Sequence, residues 1–224
     1  MDERSHRRSI FDRAPDRYDA WFDRNPSAYE SEVEALRALL PDRGKGLEIG
    51  VGTGRFAAPL GVRVGLDPSR AMADFARRRG IDVHVGAAEA LPFADRSFDY
   101  ILMATVLCFV RDIPAALREA WRVLHFGGVI AIGMVDKASP SGRRYIERIG
   151  KGDFFRDAVF HSAEEIAAYL EAAQFRCIDF RQTIFGDVDS MVAPDPVRDG
   201  HGEGLFAVVG ALKPMELAAA GRTP

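Results

Sequence analysis

The chain contains little cysteine: two residues, Cys108 and Cys177, far apart and each inside an apolar run. Two such thiols form neither a disulfide framework nor a zinc-ligand pattern, and they read as buried, inert side chains. An excess of one charge is also missing. The formal net charge is -3, so no global field draws the chain to nucleic acid or to an anionic membrane. A short basic cluster, Arg4 to Arg8, stands beside acids and reads as a solvated end. No apolar run is long enough to span a bilayer, and the polar N-terminus has no apolar signal core. These absences predict a cytoplasmic protein in a reducing compartment. Internal repeats and low-complexity linkers are missing too.

What is present is ordinary bulk with a clear change of rhythm. Hydrophobic residues make up 47% and charged residues 28% of 224 positions, which suits one α/β domain with a sizeable core. The first forty residues read as helical. "IFDRAPDRYDAWF" is aromatic-rich and broken by Pro15, which predicts two short helices. "NPSAYESEVEALRALLP" offers Asn25 as a cap, Pro26 at the first helical position, and an apolar stripe of Val33, Leu36, Leu39 and Leu40.

Beyond Gly46 short apolar strands alternate with helices. The strands are Gly46 to Gly50, Val62 to Asp67, "IDVHVG", Phe98 to Ala104 and "GVIAIGMV". The helices are Ser69 to Arg79 and Pro114 to Leu124, with Gly127 and Gly128 expected to stop the second. This pattern predicts a parallel sheet covered on both faces. Later, Ser141 to Ile149 reads as a helix, and Ser162 with Glu165 forms a capping box for another. "CIDFRQTIF" and "GLFAVVGALK" bring the strand count to seven. With no helix between them, they predict an antiparallel hairpin at the sheet edge. The tail after Lys213 is expected to fray.

The chemistry concentrates in "GLEIGVGTGRF". Gly50, Gly52 and Gly54 stand at the carboxyl end of the first strand, where open α/β sheets bind ligands. Glycines there let a ligand approach the backbone closely. The second strand ends at Asp67, a carboxylate suited to a ribose diol; alternatively it caps the next helix, with Pro68 at the first position. A dinucleotide fingerprint can be laid on Gly52, Gly54 and Ala57. However, Asp67 follows Gly52 by 15 residues, against roughly 20 in that fingerprint. No Tyr-x-x-x-Lys or other hydride-transfer pair is present. Glu48, inside the strand, would repel a pyrophosphate and attract an ammonium. A ribose, an ammonium and no phosphate together describe S-adenosylmethionine.

From Phe11 to Val135 the chain resembles the class I S-adenosylmethionine-dependent methyltransferases, of the type 11, ubiquinone/menaquinone-biosynthesis branch. "FDRAPDRYDAWF" is similar to their lid helices and "LEIGVGTG" to their first motif. "VGLDPSRAMADFAR", "GAAEALPFADRSFDYILMATVLCFV" and "ALREAWRVLHFGGVIAIG" are similar to the motifs that follow. "GHGEGLFAVVGA" resembles a glycine-rich lead into the last strand. The resemblance implies a three-layer Rossmann-like, doubly wound, seven-stranded sheet, mostly parallel with an antiparallel C-terminal edge. Within one domain it implies a helical lid over 1–40, a cofactor core over 41–135, acceptor-side segments and the last strands over 136–213, and a tail over 214–224.

The resemblance further implies that Glu48, Gly50, Gly52, Thr53 and Gly54 frame the methionine moiety and that Asp67 binds the ribose. Pro68 and Met72 would lie near the adenine, Ala87 and Ala88 along its edge, and Ala104 under the sulfonium end. Ala87 stands where the family usually has an Asp, a loss of about 1.5–3 kcal/mol if nothing replaces it; Glu89 is close enough in sequence to do so.

Transfer from a sulfonium needs positioning and exclusion of water more than acid–base groups. No catalytic triad is therefore required. Acceptor-side candidates are Tyr18 and, between glycines, His201 with Glu203 nearby; Trp21 and Phe22 read equally as helix packing. His161, before a capping box, reads as a surface residue, and His84 and His125 as strand and helix-end residues. Cys108 lacks the Pro-Cys pair of pyrimidine C5-methyltransferases, and no Asn/Asp-Pro-Pro-Tyr follows the fourth strand. A small-molecule acceptor is therefore expected, with no nucleic-acid or membrane partner, in a monomer or homodimer. A non-catalytic S-adenosylmethionine-binding regulator and a nicotinamide oxidoreductase are the alternatives.

Overall fold

The computed structural model describes residues 9–150 and 152–215. The basic cluster at Arg4 to Arg8 and the tail from residue 216 onward lie outside them.

Ser9 accepts the Asp12 amide and opens α1 (Ile10–Arg13). Pro15 then starts α2 (Pro15–Arg24), and Pro26 starts α3 (Pro26–Arg37). Asn25 is the N-cap residue of α3 as expected, its carbonyl accepting the Tyr29 amide at 3.0 Å, but its side-chain amide donates back to Trp21 O at 2.9 Å and so closes α2 instead of capping α3.

The next elements are β1 (Gly46–Ile49), β2 (Val64–Asp67), α4 (Arg70–Arg78), β3 (Asp82–Val85), β4 (Phe98–Ala104), α5 (Ile113–Val123) and β5 (Leu124–Val135). They are followed by α6 (Pro140–Ile149), α7 (Ala163–Ala172), β6 (Arg176–Thr183), β7 (Arg198–Asp199) and β8 (Phe206–Leu212). The sheet order is β3-β2-β1-β4-β5-β8-β6-β7, with β1 to β5 parallel and β8 antiparallel between β5 and β6.

Two expectations need correction. The sheet has eight strands, not seven, because the loop after β6 folds back and pairs Asp199 with Arg181. A two-residue strand carries no apolar alternation to read. In addition, Gly127 and Gly128 do not stop α5. The helix ends at Val123 and passes directly into β5. The glycines sit where β5 bulges against β4, between the pairs Leu124↔Phe98 and Val129↔Tyr100. Gly127 has φ +77°, and a Cβ on Gly128 would lie 2.7 Å from Asp99 O, so the irregular crossing needs both.

Both faces of the sheet are covered. Leu117, Leu170 and Phe175 pack under one with α5 and α7; Phe22, Leu36, Ala73 and Phe206 pack under the other with α2 to α4. Strand order reverses between β1 and β4, so the carboxyl ends of β1, β2 and β4 surround the crevice where such sheets bind ligands. Among the described residues no helix is long and apolar enough to cross a membrane.

Candidate active site

The turn after β1 is tied to β2 by two amides, Gly50 and Val51, which both donate to Leu66 O at 2.7 and 3.0 Å. Its glycines differ in what surrounds them. A Cβ at Gly54 would meet Ile81 Cδ1 at 2.6 Å and the Ala76 backbone at 3.1 Å, which is a packing constraint. At Gly52, φ +53°, the nearest atoms would be Met72 Cε at 3.7 Å and Tyr18 Cε1 at 3.8 Å. Space over Gly52 is therefore open to a ligand.

Two carboxyls flank this turn on adjacent strands. Asp67 accepts the Gly52 amide on Oδ2 at 2.8 Å and the Ser69 amide on Oδ1 at 2.9 Å. It both braces the turn and leads into α4, whose side-chain cap is Ser69 Oγ on the Met72 amide. Burial raises the Asp67 carboxyl to about 6, against the pull of the two amides. Glu48 is 1% exposed. Burial pushes its carboxyl well above the usual range, tempered by the Ala57 amide, and the Asp67 charge adds to the rise. Its Oε2 has no hydrogen-bond partner among the described residues. An orphaned buried acceptor beside a glycine with open space above it fits a ligand that carries an ammonium and hydroxyls.

The remaining sequence-predicted residues differ in burial. Met72, Thr53, Ala88 and Ala104 are buried, whereas Pro68 and Ala87 are exposed. Glu89 accepts the amides of Arg111 and Asp112 on one oxygen, Oε1, at 3.2 and 3.4 Å, on the approach to α5.

A second wall lies beyond Tyr18. An aromatic cavity of about 230 Å3 is lined by Tyr18, Trp21 and Phe22 of α2, Glu32 of α3, Tyr145 of α6, and Phe154, Phe155, Phe160 and His161 of the segment before α7. Thr105, Leu107 and Cys108 close it at the end of β4. Tyr18 faces Thr105 with its hydroxyl and Gly52 with its ring, which makes it the one predicted site residue shared by turn and cavity. Burial raises its phenol well above the ordinary value.

His161 differs from expectation. It lines the cavity with its side chain only 14% exposed, and burial lowers its pKa. His201 packs on the Phe180 ring, centroids 4.5 Å apart, beside β6, and is not in the cavity wall. Cys108 is a wall thiol that burial raises to about 12.

Sequence reasoning missed the bolts between α2 and the turn. Asp19 takes Arg55 Nε at 2.9 Å and Nη2 at 2.7 Å, and Arg79 Nη2 at 2.9 Å. Arg79 also donates to Thr53 O at 2.8 Å, and the Tyr29 hydroxyl donates to Arg55 O. Glu32 was missed as well. Its signal was an acid on the buried face of α3, level with Ala28, Ala35 and Leu36.

Comparison with known proteins matches residues 47–132 to a family described as a methyltransferase domain. An uncharacterized protein of Methanocaldococcus jannaschii is 44% identical over 205 residues, covering 92% of this chain and 99% of that one. A solved structure from Thermotoga maritima superposes with a TM-score of 0.88 at 44% identity, over 91% of this chain and 98% of that one. It is described as an S-adenosylmethionine-dependent methyltransferase, possibly a histamine N-methyltransferase. A demethylmenaquinone methyltransferase of Roseiflexus castenholzii is 38% identical over 146 residues, 60% of this chain and 59% of that protein.

Proposed function

The chain belongs to the class I S-adenosylmethionine-dependent methyltransferases, and on that premise we propose that the Gly50–Gly54 turn holds S-adenosylmethionine while the aromatic cavity holds a small-molecule acceptor. The observation that carries this reading is the position of Tyr18, against Gly52 on one side and in the cavity wall on the other.

The cofactor supplies a methyl group on a sulfonium, an activated leaving group. The protein's part is to hold, align and keep dry. Glu48 receives the ammonium with its unpartnered oxygen, and Asp67 receives the ribose hydroxyls. The amides and φ-positive glycines of the turn, with Thr53, follow the methionine chain. Met72 and Pro68 border the adenine beside Ala87 and Ala88, and Ala104 lies beneath the reacting end. Helices α1 and α2 act as a lid, and their aromatic residues exclude water from the acceptor. S-adenosylhomocysteine is the product left in the turn. The relatives' descriptions name different acceptors, so family membership leaves the acceptor to the cavity.

Calorimetry with S-adenosylhomocysteine and with NAD, followed by methyl release from labelled cofactor across a metabolite panel, tests the proposal. Micromolar binding of S-adenosylhomocysteine, no binding of NAD and methyl release to a small molecule are the expected results. NAD binding alone would return the chain to hydride chemistry. Cofactor binding with no acceptor across the panel would make it a regulator.

A further inference from the structure

Glu32 is out of place for a purely structural residue. It is 5% exposed on the buried face of α3, whose other buried members include Ala28, Val33, Ala35 and Leu36. It lines the aromatic cavity. Burial drives its titration upward, and among the described residues no guanidinium and no hydrogen bond offsets the cost of a carboxyl there. A glutamine or leucine would serve the packing at less cost.

The other charged and titratable groups of the cavity do not answer it. Arg17 is engaged with Asp153 at 3.4 Å and lies over the Phe154 ring. Arg24 is exposed on α2 and also lines a neighbouring, more solvent-facing pocket. Tyr18 and Tyr145 both sense the Glu32 charge, but burial holds their phenols protonated. His161 is held toward its neutral form, and its Nδ1 stands 3.5 Å from Glu165, which Lys137 also binds. Cys108 remains a thiol. Around these groups stand the rings of Trp21, Phe22, Phe154, Phe155 and Phe160. Ring faces attract cations and repel anions.

Resting on the reading that this cavity takes the acceptor, we propose that the acceptor is a small amine bound as its ammonium ion, with the Glu32 carboxylate as its counter-charge and proton acceptor. Glu32 takes one proton from the ammonium: an N–H bond breaks, an O–H bond forms, and the electron pair stays on nitrogen. The products are a neutral amine with a free lone pair and a neutral carboxylic acid. Burial aids this step. It holds the Glu32 carboxyl near 8, closer to an alkylamine than an exposed carboxylate lies. In the ligand-free cavity Glu32 is mainly protonated at neutral pH, so an arriving ammonium displaces its proton to solvent.

The test is calorimetry at pH 7 with three molecules of similar shape: 2-phenylethylamine, 2-phenylethanol and 3-phenylpropanoate. Each is titrated in two buffers of different ionisation enthalpy, without cofactor. The amine should bind at least about tenfold tighter than the alcohol, with net proton release. Glu32→Gln should bring amine and alcohol to within about threefold and abolish the proton release, while S-adenosylhomocysteine affinity stays within about threefold. If Glu32→Gln fails to fold, the wild-type preference and proton release decide alone. The proposal falls if the amine does not bind, if alcohol or carboxylate binds equally well, or if Glu32→Gln keeps the preference. A lost S-adenosylhomocysteine site with an intact amine preference would instead sink the cofactor reading and leave the ammonium site standing.

Discussion

Asp19 and Arg55 meet as a two-pronged pair, Nε on one carboxylate oxygen at 2.9 Å and Nη2 on the other at 2.7 Å. The pair joins α2 to the residue that follows the glycine turn. It shares Asp19 with Arg79, which holds Thr53 O. One carboxylate thus fixes α2, the turn and the residue that ends α4.

Removing that carboxylate leaves two guanidiniums facing each other. Asp19→Ala should cost about 2 kcal/mol, below the roughly 3–5 of a fully buried pair, because Asp23 still reaches Arg55 at 2.9 Å. For a chain of this size that is a fall in Tm of about 4–8 °C. S-adenosylhomocysteine affinity should fall with it, since Tyr18 rides on the same helix. Thermal melts and calorimetry on Asp19→Ala and on a surface control, Asp82→Ala, check both.

The same pair predicts an acid-sensitive window. Asp19 is lowered from 3.8 to about 2; burial opposes ionisation, but the Arg55 and Arg79 guanidiniums outweigh it. A depressed folded value contributes stability that is whole above about 4 and drains as pH falls toward 2. The stability difference between wild type and Asp19→Asn should therefore be constant from pH 7 to about 4.5 and shrink below it. A difference unchanged at pH 2.5 in urea titrations would contradict the assignment.

Asp67 carries the opposite sign. Its folded value is raised from 3.8 to about 6, so its effect on folding is most favourable below 3.8 and is lost as pH rises through 6. Ligand binding should run the other way, because the ionised carboxylate is the better acceptor for ribose hydroxyls. S-adenosylhomocysteine affinity is expected to be level above pH 7 and to weaken below pH 6, by up to about tenfold per unit. Asp67→Ala should reduce binding beyond detection while the chain still melts cooperatively. Equal affinity in that variant would remove Asp67 from the ribose site.

How much of this was legible follows from where each signal is stored. The turn and Asp67 are local: glycine spacing and an acid at a strand end stand out against an apolar run. The parallel sheet was legible because β1, β4 and β5 are mostly apolar and largely buried. What escaped is long-range. Asp19 and Arg55 are 36 residues apart, and the cavity gathers α2, α3, α6 and the segment at 154–161, which share no period. β7 exists only because β6 offers it a partner. His161 reads as a surface residue because it precedes a capping box, but a residue before the cap can pack back onto its helix, and here it meets the Tyr169 ring at 6.1 Å.

Finally, two glycines two positions apart should fail in different ways. Gly54→Ala places a methyl within 2.6 Å of Ile81 Cδ1 and 3.1 Å of the Ala76 backbone at φ +83°. One neighbour is backbone, so relief requires α4 to move, and the variant should lose about 2–3 kcal/mol of stability. Gly52→Ala meets nothing closer than 3.7 Å and pays only for its left-handed backbone, about 1–2 kcal/mol. Yet its methyl occupies the open space over the turn, so S-adenosylhomocysteine binding should weaken more than tenfold, by roughly 1.4 kcal/mol or more. Melting curves beside binding isotherms separate the two. If Gly52→Ala bound the ligand as well as wild type, the space above Gly52 would not be where the ligand lies.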